Sequence, residues 1–128
     1  MTVVATTTTT TTKQRGDAAE DAALAHLEAA GLRLVTRNYR TPGRGGGEID
    51  LILRDPRDAT LVFVEVRQRA SDSHGGAGGS ITGVKRRRIV FAARHYLMDL
   101  RVLPPCRFDV VLVEAGRIEW LQGAFDAA

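Results

Sequence analysis

The sequence predicts one α/β or α+β domain built on a single mixed β-sheet, with elements in the order αβββαββ. Three observations lead there. Two segments carry apolar residues at helical spacing, one near the start and one past the middle of the chain. Around them lie short runs rich in Val, Ile and Leu, separated by Gly, Asp and Pro turns. The chain has 128 residues and is 44% hydrophobic, enough for one compact core.

The elements follow in order. Residues 1–12 end in the threonine run Thr6 to Thr12, which has little to bury and reads as a disordered tail before a single domain over 13–128. Asp17 is expected as N-cap or first-turn acid of a helix that runs to Ala30 and stops at Gly31. Its apolar stripe is Ala23, Leu24 and Leu27, and Glu20 falls on that same buried face. Leu32 to Tyr39 reads as a strand, and Thr41 to Gly47 as a glycine-rich turn. Glu48 to Arg54 and Thr60 to Arg69 read as a β-hairpin around the turn Asp55 to Ala59. Ser71 to Ser80 is a polar, glycine-rich loop. Thr82 caps a second helix from Gly83 to about Leu100, with Ile89, Ala92, Ala93, Tyr96, Leu97 and Leu100 inward. Pro104 and Pro105 end that pattern. Phe108 to Val113 and Arg117 to Leu121 form a last strand pair around Gly116.

Composition excludes some classes. No apolar run approaches the ~20 residues that span a bilayer, and the N-terminus does not resemble a secretion signal. The single cysteine, Cys106, cannot form an internal disulfide or a Cys-rich zinc site; it reads as a buried small hydrophobe in a cytoplasmic protein. His26, His74 and His95 lack ligand spacing and read as surface or satisfied residues. The glycines from Gly43 to Gly47 do not end in the Gly-Lys-Ser/Thr of a P-loop. The net charge is only +3, but its distribution is uneven. Lys85, Arg86, Arg87 and Arg88 are consecutive, and Arg37, Arg40, Arg44, Arg54, Arg57, Arg67 and Arg69 crowd the middle of the chain. At 5% aromatic residues no stacking platform for single-stranded bases is visible, so duplex backbone is the expected nucleic-acid partner.

Two acids interrupt apolar strands: Asp50 between Ile49 and Leu51, and Glu65 between Val64 and Val66. Buried charges are costly without a partner, and two carboxylates brought together by a hairpin repel. A Mg²⁺ or Mn²⁺ ion would resolve that repulsion and could act on a phosphodiester; ion pairs with Arg67 or Arg69 are the alternative. Arg67 shares a strand face with Glu65 and could steady charge on a phosphate, but it stays protonated and is a poor base. Lys85, at helical spacing from Ile89, extends the inner stripe of the second helix towards the sheet, whereas Arg87 faces outward. Arg107 and Asp109 flank Phe108 and read as a structural pair.

The motifs Gly47-Glu48-Ile49-Asp50-Leu51-Ile52, Val62-Phe63-Val64-Glu65-Val66-Arg67, Lys85 and Cys106-Arg107-Phe108-Asp109-Val110, with Glu20 on the first helix, resemble the YraN-like family. That family is a set of small bacterial proteins in the PD-(D/E)xK nuclease superfamily, similar to archaeal Holliday junction resolvases. The resemblance covers residues 13 to 123. It implies a restriction-endonuclease-like core with a central mixed sheet flanked by helices. It also implies Glu20, Asp50 and Glu65 as metal ligands, with Arg67 or Lys85 in the lysine's place. The catalytic set is then Glu20, Asp50, Glu65, Arg67 and Lys85, and the DNA-contacting set Arg44, Arg69, Lys85, Arg86, Arg87 and Arg88.

The expected function is a Mg²⁺- or Mn²⁺-dependent endonuclease acting on branched or double-stranded DNA in repair or recombination. A four-way junction also raises a homodimer, since its symmetry is twofold. Arg67 where the motif has lysine favours an alternative, a non-catalytic DNA-binding or repair adaptor. A protein-interaction module is the third reading, against which salt-sensitive DNA binding would count.

Overall fold

The computed structural model describes residues 12–43, 45–68 and 81–127. The threonine tail up to residue 11, Arg44, Arg69, the loop from Ser71 to Ser80 and His74 lie outside the described residues.

The element order is α1 (Thr12–Ala29), β1 (Arg33–Arg40), β2 (Glu48–Asp55), β3 (Thr60–Gln68), α2 (Gly83–Leu97), β4 (Cys106–Glu114) and β5 (Arg117–Phe125), the predicted αβββαββ. The five strands form one sheet in sequence order. β1, β2 and β3 pair antiparallel. β3 and β4 pair parallel, which α2 makes possible by carrying the chain back across the sheet. β4 and β5 close as an antiparallel hairpin through Ala115 (φ 34°) and Gly116 (φ 82°). Two consecutive residues in the left-handed region fit a tight hairpin turn whose twist matches the strands. Among the described residues no helix is long and apolar enough to cross a membrane.

The helices cover opposite faces of the sheet. On one, Ala23 and Leu27 of α1 are fully buried against Leu51, Leu53, Val62, Val64 and Val111. On the other, Ile89, Ala92 and Ala93 of α2 pack on Ile52, Leu61, Phe63 and Phe108. Leu61 and Phe63 go to α2 while Val62 and Val64 go to α1, the alternation of a strand buried on both sides. Thr82 caps α2 as predicted, its Oγ1 accepting the Lys85 amide N–H at 3.1 Å. Gly31, at φ 103°, ends α1 in the left-handed conformation that glycine adopts freely.

Some expectations are corrected. α1 starts at Thr12, so Asp17 is an internal helical residue; it pairs with Lys13 at 3.1 Å across one turn rather than capping the helix. α2 ends at Leu97, although Leu100 still packs on its core. β5 runs on to Phe125 because its far end stacks on Phe108, ring centroids 5.0 Å apart. Cys106 is exposed, not buried. It opens β4 directly after Pro105, with its thiol turned back to the Pro104 carbonyl at 3.3 Å.

Gly47 has a packing role. A Cβ there would run into the Arg88 carbonyl and the Ala92 side chain of α2. The glycine-rich turn is therefore a seat for a helix, fixed by Thr41, whose Oγ1 accepts the Gly47 N–H at 2.7 Å. This seat holds the start of β2 beside α2.

Candidate functional site

Strand alternation fails at Asp50, and that failure builds the site. Ile49 and Ile52 both lie in the cluster under α2, three positions apart, whereas Leu51 and Leu53 lie under α1. A regular strand would put Ile49 with Leu51. The neighbouring strand turns at the matching place. Arg37, paired with Leu51, reaches α1, and Tyr39, paired with Ile49, packs edge-on against Tyr96 of α2. Asn38 between them has φ 52°, a conformation Asn tolerates better than most residues. Ladder pairing between β2 and β3 stops at Leu51 and Val64, so Asp50 bonds in its own way: its Oδ2 accepts the Val66 N–H at 2.8 Å.

Glu65 stands beside it on the α2 side of β3. Burial and the charge of Asp50 push Glu65 up to about 8, against the pull of Lys85. Burial also raises Asp50, but the Val66 amide and the hydrogen bond from Glu65 work the other way. The two carboxyls are therefore both held above the ordinary carboxylate range, Glu65 at about 8, and share a hydrogen bond. The Lys85 ammonium, reaching in from the first turn of α2, lies 3.5 Å from Glu65 Oε2. Two buried carboxylates with no compensation would cost several kcal/mol each. Here one proton, one backbone amide and one lysine compensate them.

Of the predicted site residues, Asp50, Glu65 and Lys85 are brought together. Glu20 sits close by on α1, near enough for the Asp50 charge, after burial, to raise its carboxyl. Its side chain is 14% exposed, on the inner face as expected, and bonded to Arg37 at 3.3 Å. Arg37 also holds Asp21 at 2.9 Å. Arg67 follows Glu65 on β3, half-buried, with no acidic partner among the described residues. The expected alternative, Asp50 or Glu65 paired with Arg67, is not what forms; Lys85 takes that place. Glu48 pairs instead with Arg40 at 3.6 Å. Arg86, Arg87 and Arg88 are exposed: Arg86 lies over the Phe125 ring at 5.8 Å, and Arg88 donates to the Gly46 carbonyl at 3.4 Å. Arg44 and Arg69 are outside the described residues.

Asp109 is a structural acid. Asp109, fully buried, accepts from Arg107 at 3.0 Å, Trp120 Nε1 at 2.8 Å and the Gly123 N–H at 2.9 Å, which confirms the expected Arg107–Asp109 pair. His95 is satisfied by the Tyr39 hydroxyl at 2.6 Å, and His26 packs edge-on to Trp120.

Among the described residues no three His, Cys, Asp or Glu side chains converge as a ready metal cage. Asp50 and Glu65 nevertheless suit a hard divalent cation. They offer oxygen donors and a surplus of negative charge that a proton and Lys85 now offset. Arg37 is the residue that sequence reasoning counted only among the scattered basic residues. Its signal was position: it precedes Asn38, a residue uncommon inside strands, and so marks where β1 turns towards α1.

The sequence profile of Uncharacterised protein family UPF0102 matches residues 19–113, which hold Glu20, Asp50, Glu65, Arg67 and Lys85. The chain belongs to this family. UPF0102 is the YraN-like family whose motifs the sequence resembled. UPF0102 proteins similar to this chain include one from Albidiferax ferrireducens, 72% identical over 115 residues, covering 90% of this chain and 89% of its own. Another, from Paracidovorax citrulli, is 75% identical over 112 residues, covering 88% and 82%. A third, from Methylibium petroleiphilum, is 63% identical over 119 residues, covering 91% of this chain and 97% of its own.

Proposed function

We propose that this UPF0102 protein is a Mg²⁺- or Mn²⁺-dependent endonuclease for branched or otherwise structured DNA, working in repair or recombination. The observation that carries the reading is the buried Asp50–Glu65 pair with Lys85 at the end of the β2–β3 hairpin, next to the basic start of α2. Strained carboxylate pairs of this kind cluster at functional sites.

Asp50 and Glu65 would hold the ion, with Glu20 joining directly or through water once it leaves Arg37. A bound ion of this type polarises a phosphodiester and makes water a nucleophile near neutral pH. The chain's own residues then position. Lys85, released from Glu65, places a cation against the scissile phosphate. Arg67, on the same strand face, steadies charge there but takes up no proton. Arg86, Arg87 and Arg88, with Arg44 and Arg69, neutralise backbone phosphates. The reading includes a homodimer, matching the twofold symmetry of a four-way junction, and a cytoplasmic setting, which suits an exposed free thiol.

The test is cleavage of labelled linear duplex, single-stranded, flap and four-way-junction DNA with Mg²⁺, Mn²⁺ or EDTA. Metal-dependent cutting lost in Asp50→Ala and Glu65→Ala is expected. A second reading, a non-catalytic DNA-binding adaptor, is favoured by Arg67 and by the hold of Arg37 on Glu20. Binding without cutting, indifferent to metal and to both substitutions, would establish it.

A further inference from the structure

One flank of α2, beside the end of β5, carries a second concave feature, separate from the carboxylate pair. Arg86, Arg87, Val90, Phe91 and Arg94 line one side of a cavity of about 500 Å³, and Asp126 with Ala127 lines the other. That volume suits a small organic ligand. Its lining combines three guanidinium groups with an apolar floor. Phe91 is 52% exposed, a large apolar ring left in contact with water. None of the three arginines has a carboxylate within ion-pairing distance among the described residues. Arg86 is braced over the Phe125 ring at 5.8 Å and Arg94 on the Ala127 carbonyl at 3.5 Å, contacts that orient the groups, and against the single carboxylate of Asp126 the three guanidinium groups leave the described lining positive.

We infer that this cavity is a subsite for an unpaired nucleotide of a nucleic-acid strand, its base against the Phe91 ring and its phosphates on Arg86, Arg87 and Arg94. The inference deepens the nuclease reading and takes its substrate class from it. Charge complementarity selects an anion, and the half-exposed ring selects one with a flat apolar face. A paired base hides its faces in the duplex stack, whereas an unpaired base offers one for stacking. Position joins the two features. Arg86 directly follows Lys85, whose ammonium lies 3.5 Å from Glu65, and the helical rise carries Arg94 about 12 Å farther along α2. Lys85 and Arg86, neighbours in the first turn of α2, thus serve the carboxylate pair and the cavity respectively. The sequence showed no stacking platform because aromatic residues are scarce. One ring suffices when the fold sets it in a basic groove.

The experiment is fluorescence polarisation of the full chain in EDTA. The probes are a labelled blunt duplex and the same duplex with a short single-stranded arm. Competing free dAMP tests the other source of the same chemistry. Phe91→Ala is expected to weaken binding of the armed duplex about tenfold and the blunt duplex less than about twofold, with Phe91→Trp restoring it. Arg94→Gln is expected to weaken armed-duplex binding and lower its salt dependence by about one ion. Because Phe91 is half-exposed, the variants should melt like the wild type, and that control accompanies the binding data. Equal losses on both duplexes, or none, overturn the subsite. Competition by dAMP as effective as that of the unlabelled armed duplex overturns its assignment to a strand. Cleavage is read separately with Asp50→Ala: absence of wild-type cutting sinks the nuclease reading while the preference for the arm still decides this one.

Discussion

Lys85 and Glu65 meet across the gap between α2 and β3, with the ammonium 3.5 Å from a carboxyl whose proton is retained towards neutral pH. The lysine does not draw that proton off because burial, and then the charge of Asp50 on the other side, oppose it. Helix, hairpin and buried acid pair are tied at this one point, so its protonation is coupled to folding.

Stability without metal should fall as pH rises towards 8. Glu65 is raised from an ordinary value of 4.5 to about 8, so the folded state binds more protons than the unfolded state between those values. The stabilisation is fully present below about 4.5 and is lost as pH passes 8. Urea midpoints measured in EDTA at pH 5.5 and 8.5 check this. Glu65→Gln keeps a donor for Asp50 without a titrating proton, so its midpoint should change less over that interval. A wild-type midpoint that climbs with pH is the contrary result.

Asp55 should act at the acid end with the opposite sign. Hydrogen bonds from the Arg57 side chain and backbone hold its carboxyl down at about 2, below the ordinary 3.8. Its contribution is present above about 3.8 and disappears as pH falls through about 2. Asp55→Asn should therefore lower the urea midpoint at pH 7, with the gap from wild type closing under acid titration. A gap that stays constant down to pH 2 would falsify the assignment.

Gly47→Ala should destabilise by about 1–3 kcal/mol, the usual cost of overpacking, because the new methyl group meets the Arg88 carbonyl and Ala92. Chemical denaturation gives the number. Gly116→Ala, where a Cβ has open space but φ is 82°, isolates backbone strain from collision. If Gly47→Ala costs nothing, the turn is not the seat of α2.

Asp109→Ala should cost about 3–5 kcal/mol, as removing one partner of a buried ion pair does, because Arg107 and Trp120 Nε1 both lose their acceptor. Trp120 is the sole tryptophan, so its emission reports the change directly. Native emission and an unchanged midpoint would show that Asp109 does not anchor β5.

Periodicity reveals the faces of an element but not what stands opposite them. Glu20 and the stripe Ala23, Leu27 were legible because helical spacing alone puts them inward. The hairpin and the approach of Asp50 to Glu65 were legible because a short turn leaves the two strands little choice. The exposure of Cys106 was not, since its position at the edge of β4 depends on how the chain leaves α2. Nor was the Lys85–Glu65 contact, made between elements separated by the loop after β3.

The sequence by itself determined the element order and the presence of acids inside apolar strands. These are local facts, set by side-chain spacing and turn residues. Tertiary structure decided the rest. It broke the alternation of β2 at Asp50, gave Glu20 to Arg37 and Glu65 to Lys85, and set Phe91 in a basic cavity. Each outcome depends on distances between elements far apart in the chain, which packing fixes and spacing along the chain does not.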